Sequence, residues 1–319
     1  MTDTESIVKQ LTHRLKFNRP SICKNTVKTY TSRLVSLLRA KDETVRLVDW
    51  SWIENDARDV VEFINEYYAH APAGSVKCMH TALFAVTNNP IYQGEMMDLL
   101  RGINDEVTKQ EMTDKQERNW MSYDDVKVYL QATKSAAMPY WGSKTPLEGQ
   151  PLQIVQRYVL MSLVCGTHIL PRRSQDWTEF KLRGVPRKAS EPKTCNYMRG
   201  GRFHFNIYKT SGSHGEQIIE VPTQLRSIMT VWKKLNPSEW LLVGADGVSK
   251  CTTPRVSFVL NNIFGRNFSV SMIRHVYLTE KYGDNIPLAE MKADAKAMAH
   301  SVEMQQKYVL HPKVREDSP

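Results

Sequence analysis

Acidic residues are missing where the chain is most basic: between Lys9 and Lys41 there are nine lysines or arginines and no Asp or Glu. Over the whole chain the deficit leaves a formal net charge of +9 and a pI near 9.2, a bias towards a polyanionic partner. Cysteine is scarce. Cys23, Cys78, Cys165, Cys195 and Cys251 lie far apart with no C-x-x-C pair, which argues against a zinc or dithiol redox site and suits a reducing, intracellular compartment. The opening MTDTESIVKQL carries acids where a secretory signal needs positive charge and a long apolar run, so neither export nor a membrane span is expected. Internal repeats and low-complexity segments are absent as well. What is there, 319 residues at 41% hydrophobic and 24% charged, is a composition that folds and a length that accommodates two compact domains.

Residues 1–111 read as a helical domain. Helices are expected over about 4–15, from a cap at Ser21 or Asn25 through Leu37 and Leu38, from Ser51 to near Tyr68, over 75–86 and over 96–107. No stretch here alternates as a strand does. The acid-free run would be a solvated helix face in many proteins. With Tyr30, Thr26, Thr29, Thr31 and Ser32 interleaved among Lys24, Lys28 and Arg33, it also suits a helix laid against DNA phosphates. Residues 112–121 are polar without an apolar face and read as a linker.

A second domain, 122–319, starts with a helix capped by Ser122. Residues 134–151 read as a loop, and 152–165 as a buried helix leading to Arg172 and Arg173. Two β-prone runs, 203–208 and 217–221, flank Lys209-Thr210-Ser211-Gly212-Ser213-His214-Gly215, a hairpin with a long tip. Helices return over about 223–235, 254–264, 270–282 and 287–298. The fold class is therefore mainly α with a small β-hairpin or sheet.

Near the C-terminus, Ala299-His300-Ser301 is followed by Tyr308 on a polar, helix-prone segment. Phenol is a poor nucleophile near neutral pH, so such a tyrosine needs cations and hydrogen-bond donors around its target to form a covalent intermediate. They occur upstream, as Arg172-Arg173-Ser174-Gln175-Asp176, Lys209, and Ser271-Met272-Ile273-Arg274-His275. Arg, Lys, Arg, His and Tyr in this order resemble the catalytic set of the tyrosine recombinases, the phage-integrase family, over roughly residues 120–310. Arg173 has the family interval to an acid three residues on, with Arg172 its rival. Ser271 stands where the family has His, and the His-to-Tyr interval is one residue short. The doubled arginine resembles the branch found in eukaryotic mobile elements and large DNA viruses.

The resemblance implies a helical core-binding domain followed by a catalytic domain. It implies an enzyme that cleaves and rejoins DNA through a 3′-phosphotyrosine on Tyr308, without metal, cofactor or ATP. Arg173 and Arg274 would hold the phosphate oxygens, since fixed guanidinium forks suit that geometry, and Lys209 would protonate the leaving oxygen. His300 would bond the phosphate or assist Tyr308. His275 either supplies the base that Ser271 cannot or orients Arg274. Lys24, Lys28, Arg33 and Arg172 would contact DNA. His300 and Tyr308 need a break between them, because eight residues of straight helix span about 12 Å, and Ser301 is the candidate cap for a new helix. The expected partners are duplex DNA and further copies of the chain, four on two sites, in the nucleus of a eukaryotic host or otherwise the cytoplasm. Alternatives are a type IB topoisomerase-like enzyme and a DNA-binding protein with weakened catalysis.

Overall fold

The computed structural model describes residues 3–186, 191, 193–282 and 288–312, and the chain divides into two compact units, Met1–Lys109 and Gln110–Pro319. It is mainly helical with one small sheet. Among the described residues no helix is long and apolar enough to cross a membrane.

The described part of the first unit is all-helical: α1 (Asp3–Asn18), α2 (Lys24–Lys41), α3 (Trp50–Asn55), α4 (Ala57–Tyr67), α5 (Ala73–Thr87) and α6 (Pro90–Thr108). Apolar residues at helical spacing define its core. Ile7, Leu11 and Leu15 of α1 pack with Leu34, Leu37 and Leu38 of α2 and Leu83 and Val86 of α5. Three boundaries differ from expectation, α6 starting at Pro90 rather than near residue 96. The third helix is broken in two at Asp56, and its cap is Asp49, whose carboxylate accepts from the Trp52 amide at 3.0 Å, rather than Ser51. Cys23, not Ser21 or Asn25, occupies the cap position of α2 and makes no side-chain cap bond. Lys24, Lys28 and Arg33 lie on the exposed face of α2.

The second unit begins with α7 (Asp114–Asn119), within the stretch expected as a linker. Thr113 and Gln116 form a reciprocal capping box there, so two local bonds offset the missing apolar face. Helix α8 (Tyr123–Trp141) starts at Ser122, which accepts from the Asp125 amide at 3.0 Å. It continues through 134–141, where a loop is expected. Pro139 falls in its last turn, where little helix remains to be disrupted. Helix α9 (Gly149–Val164) buries Val155, Val159, Leu160, Leu163 and Val164 in the centre of the unit. A non-helical stretch then leads to α10 (Ser174–Thr178).

Strands β1 (Phe180–Lys181), β2 (Asn196–Arg199), β3 (Arg202–Phe205) and β4 (Gln217–Glu220) form one sheet in that order. β1 and β2 are parallel and the other pairs antiparallel, with Phe203 opposite Ile219. The expected hairpin is thus β3 and β4. Its tip contains one turn of helix, α11 (Ser211–His214). Strand β2 was not apparent from sequence. Buried Asn196 secures it: its amide donates to the carbonyls of Asp176 at 2.7 Å and Ile207 at 2.8 Å, and its oxygen accepts from the Asn206 and Ile207 amides. Trp177, Phe180, Phe203 and Phe205 pack edge-on beneath the sheet.

Helices α12 (Thr223–Leu235), α13 (Thr253–Phe264), α14 (Val270–Tyr282), α15 (Leu288–Ala297) and α16 (Val302–Gln306) complete the unit. They match the expected spans closely, apart from residue 287, which lies outside the described residues. The segment after Tyr308 returns to the start of the unit. The His311 amide donates to the Gln110 carbonyl at 2.7 Å and the Met112 amide to the His311 carbonyl at 3.0 Å. The Gln110 side-chain amide donates to the carbonyls of Gln306 at 2.8 Å and Val309 at 3.3 Å.

Candidate active site

Burial of the apolar face of α14, through Val270, Ile273 and Val276, carries Arg274 inside with it. Its guanidinium is fully buried, and burial pulls its pKa down to about 10, with Tyr308 acting in the opposite sense. It remains a cation at neutral pH. Its Nη2 lies 2.7 Å from His300 Nδ1, and its guanidinium carbon lies 4.6 Å from the centre of the Tyr308 ring. Nε and Nη1 have no hydrogen-bond partner. Buried donors are seldom left unpaired in folded proteins, so these two, like Nη2 of Arg172, are available to an anion.

The two neighbouring arginines differ. Arg172 is fully buried. Its Nε donates to Asp176 at 2.7 Å and its Nη1 to Gln217 at 2.8 Å and to the Ala297 carbonyl, while its guanidinium lies 4.0 Å from the centre of the Phe205 ring. Desolvation pushes the Asp176 pKa up and that of Arg172 down, and the attraction between the two opposes both shifts. Arg172, expected to contact DNA, is thus engaged within the unit, although like Arg274 it has no exposed surface and leaves one nitrogen, Nη2, without a partner. Arg173, half-buried at the cap position of α10, donates to the Ala299 carbonyl at 3.1 Å. Both arginines act electrostatically on Arg274 and on His300.

Ala299 is the turning point between α15 and α16. Its φ of +58° is left-handed, a conformation that costs an L-residue about 1–2 kcal/mol. Its carbonyl accepts from both Arg173 and Thr210, each at 3.1 Å. The same turn supplies the break expected between His300 and Tyr308, and Ser301 caps α16 by accepting from the Met304 amide at 3.1 Å. The His300 and Tyr308 ring centres are 5.6 Å apart as a result.

His275 Nδ1 lies 2.9 Å from the Tyr308 carbonyl, so this nitrogen carries the proton and Nε2 keeps its lone pair. The rings are 4.8 Å apart, and burial lowers the His275 pKa. Ser271, exposed one helical turn before, shares a recess with His275 and Gln116. Lys209 is exposed on the hairpin tip. Its neighbour Thr210 reaches the site, but Lys209 itself contacts no other site residue. Lys24, Lys28 and Arg33 belong to the other unit.

Gln305 and Asp294 escaped sequence reading, and Tyr282 offered itself only as a substitute nucleophile. His300 Nε2 lies 2.7 Å from Gln305 Oε1, the Gln305 amide donates to Tyr282 Oη at 2.6 Å, and Tyr282 Oη donates to Asp294 at 2.5 Å. Lys281 also contacts Asp294. The spacing of Gln305 four residues beyond the Ser301 cap was a usable signal, since it places that side chain on the inner face of the same short helix. Tyr282 and Tyr277, the other tyrosines on α14, are poor nucleophiles: burial raises both pKa values, and the Asp294 carboxylate raises that of Tyr282 further.

No protein-family model matches the sequence and no curated protein matches it. Solved structures that resemble it include the crystal structure of XerA recombinase, at 10% identity over 97% of this chain and 94% of that one, with a TM-score of 0.40. A likeness so distant carries no inference about the site, which rests on its own geometry.

Proposed function

We propose that the chain is a DNA strand transferase of the tyrosine-recombinase type. The observation that carries this reading is Arg274: a buried guanidinium against the face of Tyr308, with two N–H-bearing atoms free for an anion. In the proposed step, Tyr308 Oη attacks a backbone phosphorus and forms an O–P bond while the P–O5′ bond breaks. The phenolic proton passes to His275 Nε2, and the leaving oxygen takes a proton from Lys209 once the hairpin tip closes on substrate. Arg274 and Arg173 hold the non-bridging oxygens as charge builds. The exposed basic face of α2 contributes phosphate contacts on duplex DNA, and four protomers on two sites exchange strands. The doubled arginine favours an element-borne or viral integrase.

Tyr308→Phe tests this directly. Wild-type protein on a nicked, labelled duplex should give a covalent band on a denaturing gel, and the Phe variant should bind the duplex yet give none. A band from the Phe variant would move the nucleophile elsewhere. A second reading, a DNA-binding protein with weakened chemistry, is favoured by exposed Ser271 in place of a histidine and by the engagement of both His300 nitrogens. It predicts duplex binding without a covalent band from the wild type.

A further inference from the structure

The hydrogen bonds around His300 run in one direction, and the chemistry of the two ends requires it. Arg274 can only donate, so His300 Nδ1 must accept and Nε2 must carry the hydrogen. Nε2–H then donates to Gln305 Oε1, which turns the Gln305 amide nitrogen towards Tyr282 Oη. Tyr282 can accept because its own hydrogen goes to Asp294, whose carboxylate oxygen accepts it. Arg274, His300, Gln305, Tyr282 and Asp294 are thus linked at 2.7, 2.7, 2.6 and 2.5 Å, through three helices and the turn before α16. Arg274 and Gln305 are fully buried, and His300 and Asp294 nearly so, so water does not readily substitute for a lost link.

We propose that Gln305, Tyr282 and Asp294 are positioning residues that fix His300 as a neutral acceptor, and through it hold Arg274 with its remaining donors aimed at the scissile phosphate. This rests on the strand-transfer reading above. The groups facing His300 are Arg274 from α14, Arg172 and Arg173 ahead of α10, Tyr308 and the uncharged Gln305. Lys281 and Glu290 stand with Asp294 at the far end of the chain. Among the described residues no carboxylate touches the imidazole, and burial drives its pKa down to about 4. A protonated His300 would present a donor to Arg274 and push the guanidinium out of place. The neutral amide of Gln305 is therefore the functional choice: it accepts the Nε2 hydrogen without the negative charge that would recruit a second proton.

Gln305→Glu keeps the shape and adds that charge. Two-bond 1H–15N correlation spectra of the histidine-labelled protein without DNA should show wild-type His300 as the neutral Nε2–H tautomer from pH 5 to 8. In the Glu variant His300 should titrate near or above its ordinary pKa of about 6.5. Covalent-adduct formation by the variant should then fall about tenfold per pH unit below that value, a limb absent from the wild type. Three outcomes overturn the proposal: a charged or Nδ1–H His300 in the wild type, a His300 that stays neutral in the variant, or a variant that titrates yet keeps the wild-type rate profile. If Gln305→Glu does not fold, Tyr282→Phe serves. It frees the Gln305 amide to turn, so that the His300 Nε2 hydrogen loses its fixed acceptor, the Nε2 resonance shifts and the adduct forms more slowly. An unshifted Nε2 resonance with the wild-type rate overturns the chain. The spectra decide it without any cleavage; absence of adduct from wild-type protein would instead sink the strand-transfer reading.

Discussion

Arg172 and Arg173 are adjacent in sequence and differ in burial and partners. The interval to Asp176 singled out Arg173, but an interval does not say which guanidinium turns inward, and it is Arg172 that pairs with Asp176. Removing one partner of a buried pair strands the other charge, at about 3–5 kcal/mol. Arg172→Ala is therefore expected to lower the melting temperature sharply. Arg173→Ala should leave the melt nearly unchanged while slowing adduct formation about 10²- to 10³-fold, the usual loss for one oxyanion donor. Thermal melts beside single-turnover cleavage separate the two; equal destabilisation by both variants would refute the division. Arg274 and Tyr308, singled out in sequence by their order and chemistry, are brought together by the structure, whereas Lys209 is not joined to them. Gln305 was not legible, since an ordinary glutamine acquires its role only from the groups at either end of a chain of contacts.

Helices were legible where a cap and an apolar spacing coincide, as at Ser122 and Ser301. They were misjudged where local bonds compensate for pattern, as in α7, or where proline lies late enough to be tolerated, as in α8. Strand β2 depends on pairing partners and on Asn196, neither visible locally. Ser301 has a testable weight: Ser301→Ala should lose about 1 kcal/mol of capping free energy and loosen the short helix that leads to Tyr308. A modest drop in melting temperature with a larger drop in adduct yield is the expected result, and an unchanged yield would mean that α16 is held by packing alone. On α2, each phosphate contact contributes about 0.9 to the slope of log affinity against log salt. Replacing Lys24, Lys28 and Arg33 together with glutamine should flatten that slope by about 2.7 if all three meet phosphate. An unchanged slope would make the basic run a solvated face.

Acid sensitivity should be a property of both units. In the first, His80 is fully buried with neither ring nitrogen partnered, and burial lowers its pKa to about 4; in the second, His300 is depressed to a similar value. The unfolded chain, with a histidine pKa near 6.5, binds the proton more readily between about pH 4 and 6.5. Stability is thus fully present above that window and is lost as pH falls through it, by up to about 3 kcal/mol per histidine. His80→Leu removes two orphaned polar atoms. It should raise the first unit's melting temperature at pH 7.5 and raise it further at pH 5, and an equal gain at both pH values would deny the titration. The stitch of Gln110 and Met112 to the residues around His311 bears on when the site comes into being. Its side-chain bonds close loops of 196 and 199 residues, and closing so long a loop is disfavoured until the intervening chain is already structured. Tyr308 therefore reaches its place only after the second unit has folded behind it. A chain still being synthesised thus exposes the basic face of α2 before Arg274 and Tyr308 have come together.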